Sequence, residues 1–135
     1  MRLWLIGALM VLAGAACAAD FVPGTAVSDA SKLVEPGTSK FFVFYIPANT
    51  APEAVVADIK KDLVQAAKTR ASLGIIGPDY SLNAKILGGI LQTAPEGLLK
   101  GASILFVNGG EDVEELKTVA ERAGATFRAT KYSGK

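Results

Sequence analysis

The chain has 135 residues, half of them hydrophobic, a formal net charge of +1, one cysteine and no histidine. That length makes one domain with a single modest core. The lack of histidine excludes serine–histidine and cysteine–histidine nucleophile systems and histidine-ligated zinc. Charge balance argues against nucleic acid, whose binders carry a basic surplus that displaces counterions from phosphates.

Residues 1–19, MRLWLIGALMVLAGAACAA, place one cation, Arg2, before an apolar run from Leu3 to Ala13 and then small residues around Cys17. This is the form of an export signal. The run is shorter than the roughly 20 apolar residues of a permanent transmembrane helix. Ala16-Cys17-Ala18 or Cys17-Ala18-Ala19 satisfies an ordinary signal peptidase, and the mature chain then starts at Ala19 or Asp20 without cysteine. Ala15, Ala16 and Cys17 also resemble a lipobox, although Gly14 stands where that motif usually has an aliphatic residue, so Cys17 is a lipidation candidate. The expected location is periplasmic or secreted, with a membrane-anchored lipoprotein facing the periplasm as the alternative. Without Arg2, thirteen basic residues face thirteen acidic ones.

Residues 20–39 carry breakers at Pro23-Gly24 and Pro36-Gly37 and no regular apolar period. They read as a flexible linker or an irregular N-terminal arm. A single α/β domain is expected over 40–135. Its first element, KFFVFYIP from Lys40 to Pro47, is a continuous apolar run that fits a central strand buried on both faces. Thr50-Ala51-Pro52-Glu53 has capping-box spacing. A helix is expected from there to about Ala71, with Val55, Val56, Ile59, Leu63, Ala66 and Ala67 on its apolar face.

Ser72 to Gly101 is ambiguous. Tyr80, Leu82, Ala84 and Ile86 alternate like a strand, while Leu82, Ile86 and Ile90 fit a helix. Asp79 or Ser81 is placed to cap a helix over about Ser81 to Gln92, interrupted by Gly88-Gly89. If the segment is instead a strand, Gly88-Gly89 is a hairpin turn and the sheet gains an antiparallel edge. ASILFV, Ala102 to Val107, is a buried strand. A turn at Asn108-Gly109-Gly110, a helix from Glu111 to Ala123 stopped by Gly124, and a last strand from Thr126 to Tyr132 complete the chain. The alternation predicts a small Rossmann-like α/β sandwich with a three-stranded, or four-stranded, parallel or mixed sheet.

Ligands of open parallel sheets sit beyond the carboxyl ends of the strands, which makes Asn108, Gly109, Gly110 and the loop acid Asp79 the candidate ligand-binding residues. Glu111, Asp112, Glu114 and Glu115 crowd the same helix start and oppose an anion there. The nucleotide-loop and EF-hand spacings are absent. No metal, cofactor or catalytic set is implied. Arg122, Arg128, Lys131 and Lys135 form a basic C-terminal stretch without an acid after Glu121. They suit an acidic partner or anionic lipid, or they guard the edge of the last strand. The expectation is an exported envelope accessory or assembly protein, a non-catalytic module that binds another envelope protein. Self-association through an edge strand accompanies it. The alternative is a protein that binds or modifies a small ligand at the strand-end loops.

Overall fold

The computed structural model describes residues 21–35 and 40–134. The export signal, Cys17 and Lys135 lie outside the described residues. The elements are α1 (Pro23–Ser31), β1 (Phe41–Tyr45), α2 (Pro52–Thr69), β2 (Ser72–Ile76), α3 (Tyr80–Thr93), β3 (Ser103–Asn108), α4 (Glu114–Arg122) and β4 (Thr126–Lys131). The fold is α/β, a small Rossmann-like arrangement. Its sheet has four strands in the order β1-β2-β3-β4, every neighbouring pair parallel.

Side chains alternate across each strand, and the two faces of the sheet bury different partners. Leu73, Ile75, Ile104, Phe106 and Phe127 face α2, α3 and α4, which contribute Ile59, Leu63, Leu87, Leu91, Leu116 and Ala120 to the same core. Ile76, Leu105 and Val107 face the other way and meet Ala26 and Ala30 of α1. Crossovers that all step in one direction with one hand leave their helices on one side. The second face therefore has α1 as its cover.

Of the linker or arm expected over 20–39, Pro36-Gly37 lies outside the described residues, and Pro23–Ser31 is a helix. Pro23 starts it rather than breaking it, because the first helical position needs no N–H donor. Its approach to the sheet is close. Ala26 and Ala30 are wholly buried, and a Cβ on Gly74 of β2 would lie 3.3 Å from the Ala30 Cβ. Asp29, also buried, accepts hydrogen bonds from the Ser133 N–H at 2.8 Å and the Ser133 hydroxyl at 2.7 Å, tying α1 to the segment after β4.

The fourth strand, allowed for beside the three read from sequence, is Ser72–Ile76, buried throughout. The helix expected over about Ser81 to Gln92 is present as Tyr80–Thr93, with Gly88-Gly89 inside it, so the alternative hairpin does not form. Two further expectations change. FFVFY forms an edge strand instead of a central one. The Thr50 capping box does not form: Ala51 is the helix cap, and Thr50 donates its hydroxyl to the Pro47 carbonyl instead. The Asp79 cap does form, its Oδ1 accepting from the Leu82 N–H at 3.0 Å.

Exposing Ile76, Leu105 and Val107 would cost about 1.5–3 kcal/mol for each side chain, against a typical whole-domain stability of about 5–15 kcal/mol. A chain shortened to begin at Lys32 is therefore expected to lose cooperative unfolding in a urea titration followed by circular dichroism. Gly74→Val is expected to destabilise by about 1–3 kcal/mol through overpacking against Ala30, measured as a lower urea midpoint with unchanged slope.

Candidate functional site at the carboxyl ends of the strands

The loops after β1, β2 and β3 and the segment after β4 gather at one end of the sheet, as parallel connections require. Ile46 extends the ladder beyond β1, its N–H donating to the Ile76 carbonyl at 2.8 Å. After β2 the chain turns at Gly77, where a Cβ would lie 2.3 Å from the Ile46 carbonyl oxygen. Only glycine lets the two strand ends close in this way. Asn83 of α3 fixes the turn from inside the protein, its Nδ2 donating to the Gly77 carbonyl at 3.1 Å. Its side chain is fully buried, and Oδ1 has no hydrogen-bond partner among the described residues.

The turn after β3 is closed by its own side chains. Asn108 is 4% exposed and its Oδ1 accepts from the Gly110 N–H at 2.7 Å. Glu111 accepts from the Gly109 N–H at 2.9 Å, and Asp112 accepts from the Glu114 N–H at 3.0 Å. Gly110 has φ +102°, a left-handed conformation suited to glycine. The Asn108 carbonyl accepts from the Tyr132 N–H at 2.7 Å. Asp79 and the Asn108 turn are neighbours through Tyr80: a Cβ on Gly109 would lie 2.7 Å from the Tyr80 ring. The four candidate ligand residues thus converge, with the polar groups that would meet a ligand engaged by their own chain.

An aromatic group closes this end on the α1 side, unannounced by any local pattern. Phe21 stacks on Tyr132 with ring centroids 5.0 Å apart, and its ring meets Tyr80 edge-on at 6.4 Å and Tyr45 at 6.3 Å. The Tyr132 hydroxyl accepts from the Val22 N–H at 2.7 Å. Phe21, two residues before α1, lies over the strand ends. Burial raises Tyr80 above the ordinary tyrosine pKa of 10.0, and Tyr132, Glu111 and Asp29 raise it further. Burial alone raises Tyr45. These neighbours are acidic, so the surroundings disfavour a bound anion.

Among the described basic residues of the C-terminal stretch, Arg122, Arg128 and Lys131 each engage a different part of the chain. Arg122 spans from α4 to the end of α3, donating through Nη2 to the carbonyls of Leu91, Gln92 and Ala94 at 2.9, 3.2 and 3.2 Å. Arg128 pairs with Glu35. Lys131 lies across Gly110. Between α3 and α4, on the helix-covered side, runs an open groove of about 560 Å³ bordered by Ala84, Gly88, Gly89, Gln92, Leu116 and Val119. Among the described residues no group of three or more His, Cys, Asp or Glu side chains could hold a metal ion. No helix there is long and apolar enough to cross a membrane.

In comparisons with known proteins, no family model, curated protein or solved structure matches this chain.

Asn83, Asp29 and Phe21 were not among the residues singled out from sequence. Asn83 was detectable, since it shares the helical period of Leu87 and Ile90 and so marks a polar group in the buried stripe. Asp29 and Phe21 had no such signal, because their partners lie 104 and 111 residues away in the chain.

A raised tyrosine pKa means that the unfolded state loses its proton first as pH climbs. Stability is therefore expected to hold from neutral pH to about 9.5 and to fall above 10, the unperturbed tyrosine value. Tyr80→Phe should flatten part of that fall, measured as urea midpoint against pH for both proteins.

Proposed function

We propose that this protein is an exported accessory or assembly factor of the cell envelope, a non-catalytic module that binds another envelope protein. The observation that carries this reading is the self-closure of the strand-end loops. The N–H groups of Leu82, Gly109 and Gly110 are held by Asp79, Glu111 and Asn108. Donors spent in this way are not free to grip a phosphate or carboxylate.

The surface best suited to a protein segment is the groove between α3 and α4. Glycine costs a helix interior roughly 0.5–1 kcal/mol relative to alanine, yet a Cβ on Gly89 would meet nothing within 4 Å. The fold itself does not demand glycine there. A partner backbone lying close to α3 would. Leu116 and Val119 supply apolar floor, and Lys85, Asp112 and Glu115 supply a mixed-charge border, the arrangement of an apolar centre with a polar rim.

Export rests on the Arg2, Leu3–Ala13 and Ala16-Cys17-Ala18 pattern. Phe21 is already built into the folded body, so cleavage at Ala19 or Asp20 would leave that body complete. If Cys17 is lipidated instead, the four residues to Phe21 span at most about 14 Å. The domain would then sit close against the membrane, with no long tether.

The test is crosslinked affinity purification from the native envelope, with intact-mass analysis of the bait. The expected result is one stoichiometric protein partner and a bait mass that begins at Ala19 or Asp20 or carries lipid on Cys17. Gly89→Leu should abolish capture while leaving the thermal midpoint within a few degrees of the original. Saturable stabilisation by a metabolite, lost in Asn108→Ala and Asp79→Ala, would replace this reading with small-ligand binding. A cytoplasmic bait that keeps residues 1–19 would overturn export.

A further inference from the structure

We propose that the outer edge of β1, which no described strand covers, pairs with β1 of a second copy of this chain, antiparallel about a two-fold axis through Val43, joining two sheets into one of eight strands. The inference does not depend on the binding-module reading, since it uses a different surface.

The two edges of the sheet are built differently. β4, TFRATK, carries Arg128 and Lys131, both exposed, and charged side chains blunt an edge against pairing. β1, FFVFY, carries no charge, no proline and no glycine. Phe42 is 49% exposed and Tyr45 40% exposed on this strand. An uncharged aromatic edge exposed to water is a template for another strand.

The hydrogen-bonding parity selects the register. The Lys40 carbonyl accepts from Ser72 and the Ile46 N–H donates to Ile76, so even-numbered residues of this stretch face β2. Backbone groups alternate along a strand, which turns the N–H and C=O of Phe41, Val43 and Tyr45 outward. A two-fold axis at Val43 sets Val43 opposite Val43 and Phe41 opposite Tyr45. All three outward residues then fall in hydrogen-bonded pairs of an antiparallel ladder. A shift by two residues in either direction leaves one of them unpaired.

The same register suits the side chains. Phe41 and Val43 pack on the α1 side and Phe44 on the three-helix side, which Phe42 shares by alternation. Phe42 falls opposite Phe44 of the second copy in a non-hydrogen-bonded pair, where side chains approach most closely. That contact covers the exposed Phe42 ring. Because β4 is charged, head-to-tail joining of β1 to β4 is disfavoured, and the isologous pairing closes at two chains. Strands of five residues, even with the Phe41–Tyr45 and Phe42–Phe44 pairs each formed twice about the axis, make a contact smaller than standard stable interfaces. The dimer is accordingly weak and concentration-dependent.

Sedimentation velocity on the purified protein from about 5 to 500 µM, together with amide hydrogen exchange over the same range, tests this by mass action. The expected result is a monomer–dimer transition in which the Phe41, Val43 and Tyr45 amides slow at least about tenfold on dimerisation while β4 amides stay unchanged. Phe42→Lys should weaken the dimer at least about tenfold, since the axis counts each change twice. Val43→Pro removes an outward N–H that β2 does not use and should abolish the dimer, with Phe42→Lys serving as the readout if the proline variant fails to fold. A monomer at 500 µM, a dimer that leaves those three amides unprotected, or a dimer unaffected by Phe42→Lys would each overturn the proposal. Protection of the same amides only in a native extract would assign the edge to a different partner and overturn it equally.

Discussion

A parallel sheet assembled by crossovers that all step the same way receives its helices on one side, and the other side remains apolar. Ile76, Leu105 and Val107 point to that side, and water cannot be their neighbour in a stable domain. Everything at the amino terminus of the folded body follows from this constraint. α1 must lie flat on the sheet, so it carries Ala26 and Ala30 where a larger residue would hold it away, and β2 carries Gly74 beneath it. Asp29 then meets Ser133, and Phe21 is delivered over the strand ends.

The cover and the functional surface are thus coupled. In a doubly wound sheet the strand order reverses and opens a crevice for a ligand at the reversal. Here the order runs β1 to β4 without reversal, so the topology supplies no such crevice. The strand ends are filled by Phe21, Tyr80 and Tyr132, and the Asn108 turn is completed by Asn108 and Glu111. Among the described residues, the groove between α3 and α4 and the outer edge of β1 are open, and these are the two surfaces on which the proposed contacts are placed.

The charged residues show how little a linear run of like charge says about a surface. Arg122, Arg128 and Lys131 are close in sequence. One bridges three carbonyls at the end of α3, one pairs with Glu35 after α1, and one lies over Gly110. Arg122 adds a donor to the carbonyls at a helix terminus, where intrahelical partners run out. Its sequence position gave no hint of this, because α3 ends about thirty residues earlier.

Where a signal is local, sequence alone was sufficient. The alternation of strands and helices, the buried ASILFV strand, the Asp79 cap and the turn at Asn108-Gly109-Gly110 each depend on a few adjacent residues, and each was legible in the chain. The tertiary structure decided what depends on distant partners. FFVFY has the composition of a central strand, yet strand order placed it at an edge, and order is set by crossovers rather than by strand composition. SLGII is too short to stand out until its neighbours on both sides are known. Residues 23–31 read as breakers and small polar groups, since a helix of nine residues has little stability of its own. Only the uncovered face of the sheet, formed by residues far along the chain, makes that segment helical.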